Sequence, residues 1–222
     1  MGHVTVIAEL GSSPAPAWEF EPWVQAAAGV GADAVKVQIF RADHFPPGHQ
    51  ESKRPLEFPR GRYVEFVRLA HAYGLQAGAS VFDTDAVAVA LLGDFLKLAA
   101  RERNNMRLRT VCQLTGRALY RSSDYLEQPQ MQEIPFYAIQ SYPASLPLSL
   151  WRLARASAYY RGMTWGWSSH TTGTLDCVLA VRLGASVIEK HFALKANDIE
   201  AGHSLQPAQF AAMVRAIRKG EH

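Results

Sequence analysis

Eight short apolar runs, separated by longer amphipathic segments, constrain the fold of this chain more than any other feature. The apolar runs predict strands at 4–10, 34–40, 75–81, 95–99, 118–121, 135–141, 164–168 and 186–192. The amphipathic segments predict helices at 17–30, 61–73, 83–92, 107–115, 148–159, 174–183 and 207–219. Alternation of strands and helices favours parallel strands. Eight of them in 222 residues predict an α/β fold, the (β/α)8 TIM barrel, which usually takes about 250 residues.

Two connections depart from the regular alternation. Residues 41–58 are polar and rich in proline, and long loops after barrel strands usually shape the active face. Residues 122–134 are too few and too polar for a crossover helix. We therefore expect one barrel domain over residues 1–222, with a truncated or missing fifth helix.

Composition excludes several classes of partner. The net charge is only +3, and no cluster of Lys and Arg is present of the kind that follows a nucleic-acid backbone. No apolar run reaches the roughly 18 residues that span a bilayer. Neither a nucleic acid nor a membrane is expected as a partner. Cys112 and Cys177 lie in helix-like apolar patterns, which predicts reduced core thiols and a cytoplasmic protein.

Several predicted strands carry ionisable residues among their apolar ones. Alternate residues of a strand share a face, and the outer face of a barrel strand packs against helices. The polar set must therefore point into the barrel, and it comprises Glu9, Lys36, Gln38, Lys97, Ser168, His170, Glu189 and His191. Lys190 has the outward parity and is expected to extend past a helix end. Trp165 and Trp167 are also expected to point outward, against helices.

So many buried charges are better explained by a binding or catalytic centre than by ion pairs in a core, because each unpaired buried charge costs several kcal/mol. The C-terminal ends of the strands are where such centres lie in this fold. His170 and His191 end adjacent strands and could hold a divalent metal, although a lone buried histidine is more often a hydrogen-bonded core residue. Lys36 and Lys97 either pair with carboxylates or bind a multiply charged anion. Among the histidines of the loops, His203 has the most informative context.

Six segments resemble motifs of the sialic acid synthases in order and spacing. They are VTVIAELG, GADAVKVQIF, FLKLAARERNN, GWSSHTTG, GASVIEKHFAL and HSLQPAQF. The resemblance covers essentially the whole chain. It implies condensation of phosphoenolpyruvate with an aldehyde sugar, assisted by manganese or magnesium.

The resemblance also implies roles by position. His170 and His191 would ligate the divalent metal. The phosphate and carboxylate of phosphoenolpyruvate would be held by Lys36, Lys97 and Ser168. Glu9 and Gln38 would orient the acceptor or a metal-bound water, and Glu189 would act as an acid or base. Residues that match further substrate-binding positions are Ser122, Tyr142 and Glu200, and the implied catalytic set is Glu189, Lys36 and Glu9.

Departures from the family pattern concentrate on the acceptor side. Ala100 replaces a serine, Glu200 replaces a sugar-contacting aspartate, and Ala201 replaces the histidine beside it. Arg101 or Arg121 could bind phosphate in place of the family residues that this chain lacks. The resemblance ends after the eighth helix, so we expect a short form without the family's C-terminal antifreeze-like domain. A homodimer or a separate capping partner would then cover the barrel mouth.

The leading hypothesis is a phosphoenolpyruvate-dependent synthase with a non-standard aldehyde acceptor. One alternative is a degenerate barrel that binds a small anion or a protein partner without turnover. A second alternative is an aldolase that forms a Schiff base through Lys36 or Lys97.

Overall fold

A computed structural model describes residues 2–130 and 132–219 of the chain. Eight parallel strands form a closed barrel in sequence order, which confirms the predicted TIM barrel. The strands are β1 (Thr5–Gly11), β2 (Ala34–Ile39), β3 (Gln76–Val81), β4 (Phe95–Leu98), β5 (Ala118–Ser123), β6 (Glu133–Ala138), β7 (Gly166–Ser169) and β8 (Val187–His191). Each pairs with its neighbours in parallel register, and β8 closes the barrel against β1.

The helices lie in the connections between the strands and after β8. They are α1 (Glu21–Gly29), α2 (Pro47–Lys53), α3 (Tyr63–Ala72), α4 (Thr84–Ala90), α5 (Met106–Leu114), α6 (Leu146–Tyr159), α7 (Leu175–Arg182) and α8 (Pro207–Arg218). None of the described helices is both long enough and apolar enough to cross a membrane. In the described part of the connection between β5 and β6, residues 124–130 and 132, no helix forms, as predicted.

One predicted loop contains regular structure. Residues 41–58, expected as a long polar loop, hold the short helix α2 and two turns of 3-10 helix. The helix begins at Pro47, whose missing N–H costs nothing in a first turn. Its seven residues are too few, and too polar, for the periodicity to have shown it.

The barrel interior has an apolar lower part and a charged upper part. Its apolar cluster consists of Ile7, Ala34, Phe95, Tyr120, Phe136 and Val187. Gly78 and Gly166 make room for the rings of Phe95 and Phe136, since a Cβ at either glycine would overlap the ring. Phe95 belongs to the apolar cluster and Lys97 lines the charged part, so both residues lie on the inner face of β4. The same two-residue alternation along β1 and β8 confirms the predicted assignment of inward-facing residues.

Lys190 points outward from β8, as predicted, but it does not extend past a helix end to solvent. The side chain is completely buried, and its Nζ donates to Ser169 Oγ at 3.2 Å and to the Thr171 carbonyl. Asp176 lies beside it on α7 and accepts hydrogen bonds from Trp167 Nε1 and Thr171 Oγ1, both at 2.9 Å. A buried polar cluster therefore fixes the turn that follows β7.

Candidate active site

A cavity of about 460 Å³ opens at the C-terminal ends of the strands. All eleven residues predicted to form the site line it: Glu9, Lys36, Gln38, Lys97, Ser122, Tyr142, Ser168, His170, Glu189, His191 and Glu200. The structure thus brings together residues from β1, β2, β4, β5, β7, β8 and the segments that follow β6, β7 and β8. The roles assigned to them remain predictions.

Lys36 lies at the centre of the charged part of the barrel. It faces Glu9 across the β1–β2 pair, and its ammonium contacts that carboxylate. Its Nζ also donates to Ser80 Oγ at 2.6 Å and lies 3.5 Å from Glu189 Oε2. Burial lowers the pKa of Lys36 to about 7, against the opposing effect of Glu189. The charge of this lysine can therefore change near neutral pH.

Glu189 connects Lys97 with the charged groups around Lys36. Its Oε1 accepts hydrogen bonds from Lys97 Nζ at 2.5 Å and from Ser168 Oγ at 2.9 Å. Burial alone would raise the pKa of Glu189, but the Lys36 and Lys97 ammonium groups hold it well below its ordinary value. An ionised carboxylate cannot donate a proton, so of the two roles expected for Glu189 only that of a base agrees with this environment.

Two imidazoles lie above this cluster. His170 Nδ1 is 2.6 Å from the Ile139 carbonyl, and His191 Nδ1 is 2.8 Å from Glu200 Oε2. These contacts leave Nε2 of each ring for a further ligand, and the ring centroids are 5.4 Å apart. Burial, together with His191, holds the pKa of His170 well below its usual range. A neutral imidazole is the form that binds metal ions.

The segment between β8 and α8 adds a third imidazole. The His203 ring lies 4.4 Å from the ring of His191 and 5.2 Å from that of Tyr142. Burial, together with His191, lowers the pKa of His203 to about 4. His191, Glu200 and His203 each offer one ligand atom, and these three atoms lie within 4.8 Å of one another. Such a group could hold a metal ion. Sequence reasoning noted the context of His203 but gave it no role.

Glu200 is fixed at both carboxylate oxygens. Oε1 accepts a hydrogen bond from the Ser12 backbone N–H at 3.0 Å, while Oε2 contacts His191. The carboxylate occupies the space beside Gly11 where a side chain would otherwise be. The sequence indicated a sugar contact at Glu200, whereas the structure gives this residue an imidazole and a backbone partner.

The two candidate arginines occupy different environments. Arg101 lines the cavity, with its guanidinium 4.2 Å from the centroid of the Phe45 ring. Arg121 is buried on the outer side of β5 and pairs with Glu127 Oε2 at 2.8 Å and Glu133 Oε2 at 3.3 Å. It does not reach the cavity, so the suggestion that Arg121 supplies a phosphate contact was wrong. The parity of β5, on which Ser122 points inward, already excluded it.

Ser80 is a site residue that sequence reasoning missed. It faces Lys97 across the β3–β4 pair and accepts a hydrogen bond from Lys36. Its side chain has the inward parity of Gly78 on the same strand, so sorting β3 by parity, as was done for β2, would have found it.

The chain is therefore a parallel (β/α)8 barrel with paired lysines, carboxylates and imidazoles at its C-terminal face. Residues 121–222 match the model of the NeuB family. N-acetylneuraminate-9-phosphate synthase of Homo sapiens is 29% identical over 187 residues, covering 76% of this chain and 52% of that protein. N,N'-diacetyllegionaminic acid synthase of Legionella pneumophila is 26% identical, covering 89% of this chain and 66% of that protein.

A solved structure has the same fold. The N-acetylneuraminic acid synthetase of Leptospira borgpetersenii, in complex with citrate, superimposes with a TM-score of 0.86 at 20% identity. The match covers 98% of this chain and 84% of that one. The chain is similar to the sialic acid synthase-like family, in agreement with the resemblance of its motifs. It spans about half the length of the human relative.

Proposed function

We propose that this barrel condenses phosphoenolpyruvate with an aldehyde acceptor, forming one carbon–carbon bond and releasing phosphate. The observation that carries the proposal is the arrangement of Lys36, Lys97 and Glu189 directly below two imidazoles in one cavity. Two buried ammonium groups at the base of a cavity suit a small, multiply charged anion. The names of the three similar proteins reported above, which are sugar-acid synthases, and the citrate bound by the Leptospira protein support the same class of ligand.

Phosphoenolpyruvate would bind to the lower part of the cavity. Lys36, Lys97 and Ser168 would hold its phosphate and carboxylate, because they are the buried hydrogen-bond donors that converge there. Gln38 and Ser122 line the same cavity and would complete the contacts to oxygen atoms. The bound anion would share the two lysines with the carboxylates of Glu9 and Glu189.

A divalent metal, manganese or magnesium, would bind above the anion. The donor set fits such an ion, since His170 and His191 each engage Nδ1 with an acceptor and keep Nε2 for a ligand. The ion would act as a Lewis acid that polarises the aldehyde carbonyl.

The acceptor would enter from the cavity mouth, beside Tyr142 and Glu200. The methylene carbon of phosphoenolpyruvate would attack the aldehyde carbon, and the aldehyde oxygen would take up a proton. We assign that proton to Lys36, whose pKa is lowered to about 7 by burial. Glu189 would accept a proton from the water that adds to the second carbon. Phosphate would then leave with cleavage of its C–O bond, while the new hydroxyl group gives its proton to the departing phosphate and becomes the carbonyl. Ala100 and Ala201 would alter which aldehyde fits.

Phosphate release from phosphoenolpyruvate tests the proposal. The purified protein is incubated with sugar and short aldehydes, with and without manganese, and products are identified by mass spectrometry. The expected result is an acceptor extended by three carbons, formed with one phosphate per product. Lys97→Met should abolish the product, whereas His49→Ala, on the exposed face of α2, should not change it. No phosphate release with any aldehyde would overturn the proposal and favour a barrel that only binds an anion.

One observation favours a Schiff-base aldolase as a second candidate. A lysine with its pKa lowered to about 7 by burial is partly unprotonated at neutral pH, as a nucleophilic amine must be. The contacts of Lys36 with Glu9 and Ser80 oppose this role, because they hold the ammonium form. Reduction by borohydride in the presence of pyruvate would decide the matter. Covalent trapping that disappears in Lys36→Met would support the aldolase.

The surroundings of the protein are also part of the proposal. Cys112 and Cys177 are free and buried, which suits a reducing cytoplasm.

A second copy of the chain, or a separate capping partner, would cover the cavity mouth during turnover. Light scattering at several concentrations, with and without phosphoenolpyruvate and manganese, would detect a dimer. A mass that stays at that of one chain would exclude the dimer and favour a separate capping partner.

A further inference from the structure

The connection between β8 and α8 is anchored at both of its ends. Phe192 forms a bridge with Leu205, and the Leu205 backbone N–H donates to the His191 carbonyl at 2.9 Å. Inside the connection, Ser204 Oγ donates to the Glu200 carbonyl at 2.6 Å. A single turn of 3-10 helix, Ala201–His203, lies between these contacts. The loop is therefore folded back over the end of β8 with a defined shape.

This folded loop places Glu200 and His203 beside His191. The ring centroids of the two histidines are 4.4 Å apart, and the Glu200 carboxylate is 2.8 Å from His191 Nδ1. His170 lies farther away, with its ring centroid 5.4 Å from that of His191 and 6.3 Å from that of His203. Among the described residues, the group of three or more potential ligands that can converge on one ion is His191, Glu200 and His203.

Two imidazoles and one carboxylate are a donor set that binds divalent first-row transition metals. Glu200 is well prepared for such a site, because the Ser12 N–H and the Gly11 backbone fix one face of its carboxylate. The sequence places alanine at 201, where the family pattern has a histidine. His203, two positions farther along the same 3-10 turn, brings an imidazole to this part of the cavity.

We propose that His191, Glu200 and His203 form a three-ligand site for a divalent transition metal, with His203 as a ligand that the predicted pair His170 and His191 lacks. The proposal rests on the proposed function in that the ion would serve the same cavity. It differs in the residues that hold the ion and in the ring nitrogen of His191, which here would be Nδ1, the atom beside Glu200 Oε2, instead of Nε2. Its binding can be measured without phosphoenolpyruvate, acceptor or turnover.

Manganese binding to the whole protein, measured by calorimetry with manganese chloride alone, tests the site. His203→Gln and Glu200→Gln should each weaken the binding at least about tenfold, because each removes one of three ligands. His49→Ala removes an exposed histidine of α2 and should leave the affinity unchanged. If His170→Gln abolishes binding while His203→Gln leaves it unchanged, the predicted pair is the site and the proposal is wrong. Loss of binding in both variants would support His203 as a ligand and identify His170 as a fourth ligand of the same ion.

A second measurement needs no variant and so does not depend on the folding of one. Zinc is diamagnetic and shifts the ring nitrogen signals of the imidazoles that bind it, and the protein labelled at its histidines has eight of them. Zinc chloride should shift the NMR signals of His191 and His203, while those of His3, His49 and His71 stay in place. A shift of the His170 and His191 signals that leaves the His203 signal in place would overturn the proposal. A protein that binds manganese through His203 but releases no phosphate would refute the proposed reaction and leave this site standing.

Discussion

The carboxylate of Glu200 lies against the α-carbon of Gly11, in the space that a β-carbon would fill at that position. Gly11 ends β1 with φ +55°, in the left-handed region, and its N–H donates to Glu9 Oε1 at 2.7 Å. One glycine therefore connects two parts of the site. Its N–H holds the Glu9 carboxylate, which faces Lys36. Its lack of a side chain leaves space for the Glu200 carboxylate, which contacts His191.

Gly11→Ala should consequently damage both stability and metal binding. The left-handed conformation costs a residue with a β-carbon about 1–2 kcal/mol, and the new methyl group would displace Glu200. Urea unfolding should show the loss of stability, and calorimetry with manganese should show the loss of affinity. Gly29→Ala is the matched control, because nothing lies near its α-carbon and α1 should gain about 0.5–1 kcal/mol. Unchanged manganese affinity in Gly11→Ala would contradict the proposed role of Glu200.

The affinity for phosphoenolpyruvate should fall as the pH rises through about 7. Burial lowers the pKa of Lys36 to about 7, so this ammonium loses its charge above that pH. Charged groups that face it are Glu9 on β1, Glu189 on β8 and Lys97 on β4. Because phosphoenolpyruvate binds the cationic form, each further pH unit should weaken binding by up to about tenfold. Calorimetry between pH 7 and 9 measures this, since the phosphate itself is fully ionised there.

Lys36→Met is the control for that profile. The variant should bind phosphoenolpyruvate more weakly at pH 7 and show a flat dependence above it. A steep fall of affinity that persists in Lys36→Met would assign the titration to another group.

Glu189→Gln should destabilise the barrel at neutral pH. The carboxylate is buried between Lys36 and Lys97, and its removal leaves two ammonium groups with less compensation, at a cost of about 3–5 kcal/mol. Its pKa is held below the ordinary value by these lysines, so the carboxylate stabilises the fold above the pKa of an unfolded glutamate. That contribution is lost as the pH falls.

Urea unfolding at pH 7 and at pH 4 tests this linkage. The unmodified protein should lose stability on acidification, whereas Glu189→Gln should lose less because its amide does not titrate. Equal losses in both proteins would assign the acid sensitivity to other carboxylates.

Arg101→Met and Arg121→Met form a matched pair that separates binding from folding. Arg101 lines the cavity, so its loss should weaken phosphoenolpyruvate binding by about tenfold, or about 1.4 kcal/mol. Arg121 pairs with Glu133 away from the cavity, and Glu133 keeps its bidentate pair with Arg109, so loss of Arg121 should cost about 1–3 kcal/mol of stability and leave the affinity unchanged. Calorimetry and urea unfolding of both variants measure the two effects. A tenfold loss of affinity in Arg121→Met, with Arg101→Met unaffected, would reverse the assignment.

Parity on the strands made much of the site predictable. A barrel strand has a two-residue period and an apolar outer face, so Lys36, Lys97 and Glu189 could be assigned to the interior from the sequence alone. The same rule would have found Ser80 and excluded Arg121. Strand ends were predictable for the same reason, and His170 and His191 meet because adjacent parallel strands end side by side.

Loops were not predictable in this way. Glu200 and His203 lie in a connection without periodicity, and the contacts of Leu205 with β8 and of Ser12 with Glu200 bring them to His191. The complete burial of Lys190 was not predicted, because parity gives the direction of a side chain but not what packs against it. Here Thr171 and Asp176 close over the ammonium, which no property of β8 alone indicates.

The sequence by itself determined the barrel, the face on which its charges lie and the family that it resembles. These properties follow from local periodicity and from short motifs, which the order of residues expresses directly. The tertiary structure alone decided that Glu200 and His203 approach His191, that Glu189 is held ionised between two lysines and that Arg121 lies outside the cavity. Each of these depends on distances between side chains of different strands and loops, and those distances exist only once the barrel has closed.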